Sequence, residues 1–403
     1  MDLSRRTFLT VAGPAATLAK ETSMTALSKL IKILVLSVLI LAAAGIANAA
    51  TYVYVSNAED GNIGVYTMAS DGTLKPEGRV EAGKMVMPMR ISPDKHYLYA
   101  TVRTKPYMVV TYAIDRKTGA LKQLSQGALA DSFPSICVDR TGRYLLGASY
   151  GGNKVSVNAI GKNGKVSDPK QVIPTAVNAH CIIIDKTNRY VFVPHLGTDQ
   201  IFQFRFDAKT GKLAANTPPI VQMPSGTGPR HIILSGDNKF AYLLSEMVGT
   251  VTTLSLDQKT GLLTTVSEVS AMSPDTKLRR GIPRGLPVPP GESPRDVSND
   301  IWASDLSLTP DGNYLYTLER TSSTINAFSV DAASGKLTYL ASTPTEKQPR
   351  GFRIDPTGKY MVVSGELSDM ISSYAIEANG ALRLLGQYPT GKDSNWVEIV
   401  SFN

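Results

Sequence analysis

Seven times along the chain an aromatic residue follows a short polar turn and opens an apolar run: Tyr52, Tyr97, Tyr144, Tyr190, Phe240, Tyr314 and Tyr360. The gaps are 45, 47, 46, 50, 74 and 46 residues, so five of six are nearly equal. Each run is followed by a stretch of alternating apolar and polar residues and then a glycine turn, as in 109–114 followed by Lys117-Thr118-Gly119. Alternation at period two predicts strands that bury one face, and short turns between them make the pairing antiparallel. A unit of about 45 residues with four short strands is the pattern of a propeller blade. The expected fold is therefore all-β, a seven-bladed β-propeller of four-stranded antiparallel blades. The first copy lacks an inner strand upstream of Tyr52, and the apolar stretch 396–400 is left over at the other end. The C-terminal strand is expected to join the N-terminal blade and close the ring, which removes two open sheet edges.

The uniform repeat argues for one domain over 50–403, preceded by a leader over 1–49. Ser4-Arg5-Arg6-Thr7-Phe8-Leu9 resembles a twin-arginine export signal. A second, Sec-like signal begins at Met24, with lysines ahead of the apolar run 33–46 and small residues at Ala47-Asn48-Ala49. Cleavage is expected near Ala49, leaving a periplasmic or secreted protein with no stable membrane span. The run is about 14 residues, short for a bilayer that takes about 20. Whether Met1 or Met24 starts translation decides between the two routes.

Charge changes the picture little. The net charge is +8, but the leader holds five Lys or Arg against two acids, so the remainder is only mildly basic. No basic cluster with interleaved aromatics points to nucleic acid. Zinc-like Cys/His spacing, calcium-loop patterns and glycine fingerprints for nucleotides are absent, so no metal or cofactor is expected. Cys137 and Cys181 fall on inner strands of consecutive blades and read as two buried thiols, with a disulfide as the alternative. The long gap contains 277–297, with Arg279, Arg280, Arg284, Arg295 and five prolines. It is expected to be an extended loop between one blade's outer strand and the next blade's inner strand.

Registering the copies on their aromatic produces a map of one rim. Ten residues before it stand Met87, Pro134, His180, Arg230, Ser304 and Arg350; six residues after it stand Ala58, Arg103, Tyr150, Leu196, Glu246, Arg320 and Glu366. The start of one strand and the end of its antiparallel neighbour share a rim. One mouth of the central channel therefore gathers His180, Arg230, Arg350, Arg103, Arg320, Glu246, Glu366 and Tyr150, with His195 and His231 one residue away. The basic insertion opens on the same rim and can overhang it.

The motifs Gly228-Pro229-Arg230-His231, Ser245-Glu246, Glu319-Arg320-Thr321, Gln348-Pro349-Arg350-Gly351-Phe352 and Ala148-Ser149-Tyr150 resemble those of the bacterial seven-bladed 6-phosphogluconolactonase family. The fungal carboxymuconate-lactonizing enzymes are relatives of that family. The resemblance spans nearly all of 51–403. It implies a lactonase acting without metal on a small anionic sugar-type or carboxylated lactone, with His180, Arg230, Glu246 and Arg320 as the active site. Arg103, Tyr150, His195, His231, Gln348, Arg350 and Glu366 would bind substrate. Three features depart from the pattern: Ser245 stands where the family has asparagine, Cys181 follows His180, and the arginine-rich insertion is additional. In the expected hydrolysis the arginines hold an anionic substituent or the acyl oxygen. Glu246 then activates water and His180 protonates the leaving oxygen, or the two exchange roles. The chain is read as a monomer. Two other readings stay open, a non-catalytic propeller that binds an anionic ligand or protein partner, and a muconate-type cycloisomerase.

Overall fold

The computed structural model describes residues 50–284 and 293–402. The leader, with both export motifs, lies outside the described residues. Seven four-stranded antiparallel sheets form the ring, with no helix among the described residues. The innermost strand of the first sheet is Ser394–Phe402, paired antiparallel with Ala50–Asn57 so that Tyr52 faces Val400 and Ser56 faces Trp396. The ring closes as the pattern predicts. The six other sheets begin on the inner strands Val86–Ile91, Ser135–Val138, Ile183–Ile184, Pro229–Leu234, Ala303–Leu308 and Pro349–Ile354. They are counted below as blades two to seven, and the closure sheet as blade one.

The two recurring sequence signals turn out to be one device. Five residues before the aromatic, a side-chain oxygen accepts the aromatic's own backbone N–H: Asp139 for Tyr144, Asp185 for Tyr190, Ser235 for Phe240 and Asp355 for Tyr360. Such Asx-type turns compete well with ladder pairing at strand ends. The aromatic ring then crosses to the next blade and covers the glycine of its turn. Tyr144 donates its hydroxyl to Lys209 O two residues before Gly211, and Tyr360 donates to Ser70 O two residues before Gly72. A Cβ on Gly72 would stand 2.2 Å from the Tyr360 ring, and one on Gly119 2.2 Å from Tyr52. Both glycines also hold positive φ, +83° and +70°. Only glycine meets both demands. Tyr97 over Gly164, Tyr190 over Gly261, Phe240 over Gly335 and Tyr314 over Gly380 complete seven locks, with Tyr360 over Gly72 running from blade seven back to blade one.

The inner strands are not regular where the site lies. In blade five Pro229 faces Ser245 and His231 faces Leu244, so Arg230 is an extra residue. In blade seven Arg350 is the extra residue between Pro349 and Gly351. A bulge re-aims a side chain that strict alternation would send elsewhere. Blade four breaks its ladder instead: His180 N donates to Pro194 O, and Pro194 has no N–H to return. The regular inner strand there shrinks to Ile183–Ile184.

Candidate active site

Arg230 and Glu246 belong to one blade and are almost completely buried. Arg230 Nε donates to Glu246 Oε2 at 2.7 Å, and its Nη1 donates to the Ser304 carbonyl of the next blade. Arg320, from blade six, reaches back and donates Nη2 to the same Glu246 Oε2 at 2.8 Å. Its Nε and Nη2 also bond the Trp302 and Ala303 carbonyls, and its guanidinium lies 3.7 Å from the centre of the Trp302 ring. Two guanidiniums thus spend both lone pairs of one carboxylate oxygen. Burial, then Arg230 beside it, draws Arg320 down to about 9, still protonated at neutral pH.

His180 stands at the edge of this cluster. Its ring meets Tyr150 at 5.6 Å and His231 at 5.2 Å between centroids, both nearly edge-on. Its Nδ1 is buried with no hydrogen-bond partner among the described residues. Burial, and then the charge of Arg230, holds its pKa well below the ordinary histidine value, so the ring is neutral at pH 7. His231 donates from Nδ1 to Asp305 at 2.7 Å. Burial and Arg230 nevertheless keep His231 low, at about 4.

A second group sits on blade seven. Arg350 Nη1 donates to Glu366 Oε1 at 2.6 Å, and Gln348 donates to Glu366 Oε2 at 2.7 Å. Burial alone would raise the Glu366 carboxyl, but Arg350 and Arg320 pull it to about 2. Arg103 donates Nε to Ser132 at 2.9 Å. Burial and the repulsion of Arg350 lower it to about 10. Tyr150 donates its hydroxyl to the Arg284 carbonyl at 3.3 Å, so the insertion does reach across the rim. Arg280 bonds the Ser225 and Gly226 carbonyls just ahead of the Arg230 strand. The buried Asp300 ties Arg279 and Arg295 at 2.7 and 2.6 Å. The middle of the insertion, 285–292, lies outside the described residues.

The structure brings together His180, Arg230, Glu246, Arg320, His231 and Tyr150, with Arg350, Glu366 and Gln348 as a neighbouring group. His195 is not brought in. Its Nδ1 bonds the Val193 carbonyl at 2.9 Å and its ring packs 4.4 Å from Phe202, inside blade four. Strict alternation along its unbulged strand turns it away from the rim. Two participants were missed, Trp302 and Asp305. Asp305 stands nine residues before its aromatic, the column that also holds His231 and Cys181, so reading that column would have found it. Trp302 is one of only two tryptophans. Cys137 and Cys181 are free and buried. Among the described residues no group of three or more His, Cys, Asp or Glu side chains is arranged to hold a metal.

The family model for the seven-bladed β-propeller lactonases matches residues 44–399. The 6-phosphogluconolactonase of Serratia proteamaculans is 37% identical over 87% of this chain and 98% of its own length. That of Erwinia tasmaniensis is 35% identical over 86% of this chain and 98% of its own. Among solved structures, the periplasmic gluconolactonase of Pseudomonas aeruginosa is 25% identical, with a TM-score of 0.75 over 88% of this chain and 100% of its own.

Proposed function

The chain belongs to the seven-bladed β-propeller lactonase family and is a lactonase, and from that premise we propose that it hydrolyses a sugar-type lactone carrying an acidic group, with His180 as both base and acid. The observation that carries the assignment is the unpartnered imidazole nitrogen of a neutral His180 beside the Arg230–Glu246–Arg320 cluster. Neutral imidazole takes a proton from water as the water oxygen attacks the acyl carbon. Arg230 and Arg320 stabilise the oxyanion, held in place beforehand by Glu246. Collapse breaks the bond from acyl carbon to ring oxygen, and the imidazolium returns its proton to that oxygen, giving the hydroxy acid. This gives His180 both of the roles first divided between it and Glu246, and leaves Glu246 to hold the two arginines. The reason is local: Glu246 Oε2 is taken up by the two guanidiniums that it holds in place for the oxyanion, whereas His180 Nδ1 has no partner among the described residues.

Four arginines around the mouth, against Glu246 and Glu366, favour an anionic substrate, since a guanidinium fork matches carboxylate or phosphate. The relatives' names suggest a sugar lactone, with or without phosphate. A panel of sugar lactones with and without phosphate, and of carboxylated muconolactones, followed by acid release, tests this reading. Turnover of a sugar lactone that carries phosphate or carboxylate, faster than that of its uncharged counterpart and at least about 100-fold lower in His180→Ala, is expected. No turnover across the panel, or a His180→Ala enzyme within about threefold of wild type, overturns it.

Export belongs to the same proposal. The twin-arginine-like and Sec-like motifs of the leader support it, as does the periplasmic location of the Pseudomonas relative. Cell fractionation with N-terminal sequencing is expected to find a periplasmic monomer beginning near Ala50; a cytoplasmic protein that retains the leader would refute it.

A further inference from the structure

The central channel has a second mouth, and its contents are unlike the first. The inner strands run from the rim holding Arg230 to the turns that precede each aromatic, so Pro93, Arg140 and Lys186 lie at the opposite face. Between that face and His231 is a cavity of about 440 Å³ to which all seven inner strands contribute. Its size suits a small organic ligand. None of Arg230, Glu246, Arg320 or His180 lines it.

Three layers make it up. The floor holds Arg90, Arg353, Asp305 and Trp396. Its charges are already matched: Arg90 and Arg353 meet Glu398 Oε1 at 3.3 and 3.2 Å, and Arg353 lies 3.7 Å from Asp305. Glu398 also accepts from the Trp396 indole at 3.0 Å, and both guanidiniums stand within 6 Å of the Trp396 ring centre. The wall is aliphatic and only half-buried, at Ile91, Ile183, Ile233, Leu234 and Leu308. The mouth is different again. Arg140 bonds only the Ile184 and Asp185 carbonyls, and Lys186 only the Gly236 carbonyl. Asp139 and Asp185 precede them in the same turns, but neither cation has a carboxylate within ion-pair distance among the described residues, so both are free to meet an added anion.

We propose that this well is a second binding site, for a monocarboxylate with a compact apolar body such as a short fatty or alicyclic acid. The carboxylate sits at Arg140 and Lys186, where a narrow well focuses the positive field. The body covers the half-buried aliphatic wall, which gains by leaving water. A polyhydroxylated acid, the kind of product formed at the other mouth, would strand its hydroxyls against that wall and bind poorly.

Trp396 on the floor is a built-in reporter, and Trp302 at the other mouth is the only other tryptophan. In a Trp302→Phe background of the whole protein, hexanoate and cyclohexanecarboxylate are expected to change Trp396 fluorescence saturably, with Kd below about 10 mM. Gluconate and inorganic phosphate should bind at least tenfold more weakly. Lys186 is exposed, so Lys186→Glu should fold normally and weaken hexanoate at least tenfold. Arg140→Gln/Lys186→Gln, checked for an unchanged thermal midpoint, should do the same, whereas Gln348→Ala at the other mouth should leave hexanoate binding as it was. No saturable response to either apolar acid up to about 50 mM overturns the proposal. So does gluconate binding as tightly as hexanoate, or hexanoate binding that Lys186→Glu leaves unchanged.

Discussion

His180 and Glu246 differ in what their atoms have left to give. The first keeps a free nitrogen, while the second has one oxygen fully engaged by arginines. Because burial and Arg230 hold His180 below its ordinary pKa, its base form is present throughout the neutral range. The pH–rate profile of kcat/KM should therefore be flat from about pH 8 down to about pH 6 and fall only in more acid solution. A bell whose acid limb lies near 7 would refute that. Glu246→Gln is expected to behave differently from His180→Ala. It leaves two buried guanidiniums facing a neutral amide, which should cost about 3–5 kcal/mol of stability as well as activity. Thermal and denaturant unfolding of the two variants would separate them, and a Glu246→Gln protein as stable as wild type would contradict the cluster's role.

At the scale of the element, the turn glycine and the preceding blade's aromatic act as one lock. Gly72→Ala must put a Cβ at positive φ and into the Tyr360 ring. Left-handed backbone and overpacking together predict a loss of about 2–5 kcal/mol. Tyr360→Phe removes only the hydroxyl bond to Ser70 and should cost about 0.5–1.5 kcal/mol. Blade five already carries Phe240 at this position over Gly335, so ring packing without the hydroxyl is tolerated. Denaturant midpoints that rank these variants the other way would show that the ring over the glycine does not hold the blades together. The insertion is a different kind of element, held to the rim by its ends: Asp300 ties Arg279 to Arg295, and Arg280 grips the loop before Arg230. Asp300→Ala is expected to raise KM severalfold with a smaller change in kcat, a split that steady-state kinetics on the best lactone would read.

The whole molecule stores three neutral histidines. His180, His195 and His231 are buried, and all three have pKa values lowered mainly by burial, His195 and His231 to about 4. A histidine lowered in the folded state contributes stability that is fully present above its unfolded value of about 6.5 and is lost as pH falls through its folded value. Below about pH 6.5 the unfolded chain binds more protons than the native one. Each histidine then contributes a slope of up to about 1.4 kcal/mol per pH unit. Stability should be level from pH 7 to 8 and decline steeply between 6 and 4, which chemical unfolding across that range would measure. A midpoint unchanged between pH 7 and pH 5 would mean these rings are not neutral in the fold.

The repeat, the blade count, the closing strand and most of the rim were legible in the sequence. Each rests on a period of two within strands and about 45 between blades, and steric and hydrogen-bonding rules convert such periods directly into pairing. Register alone placed Arg230, Glu246 and Arg320 on one mouth. It could not say that Arg230 and His231, consecutive in a strand, would both face the channel's interior, nor that His195 would turn into its blade. The first was decided by one extra residue at the start of an inner strand, and the second by plain alternation along a strand that has no bulge. Which oxygen two arginines share, which imidazole is left without a partner, and which cations along the channel find a carboxylate depend on side chains from different blades meeting across the axis. Such meetings leave no periodic trace in a single chain, so only the tertiary structure determines them.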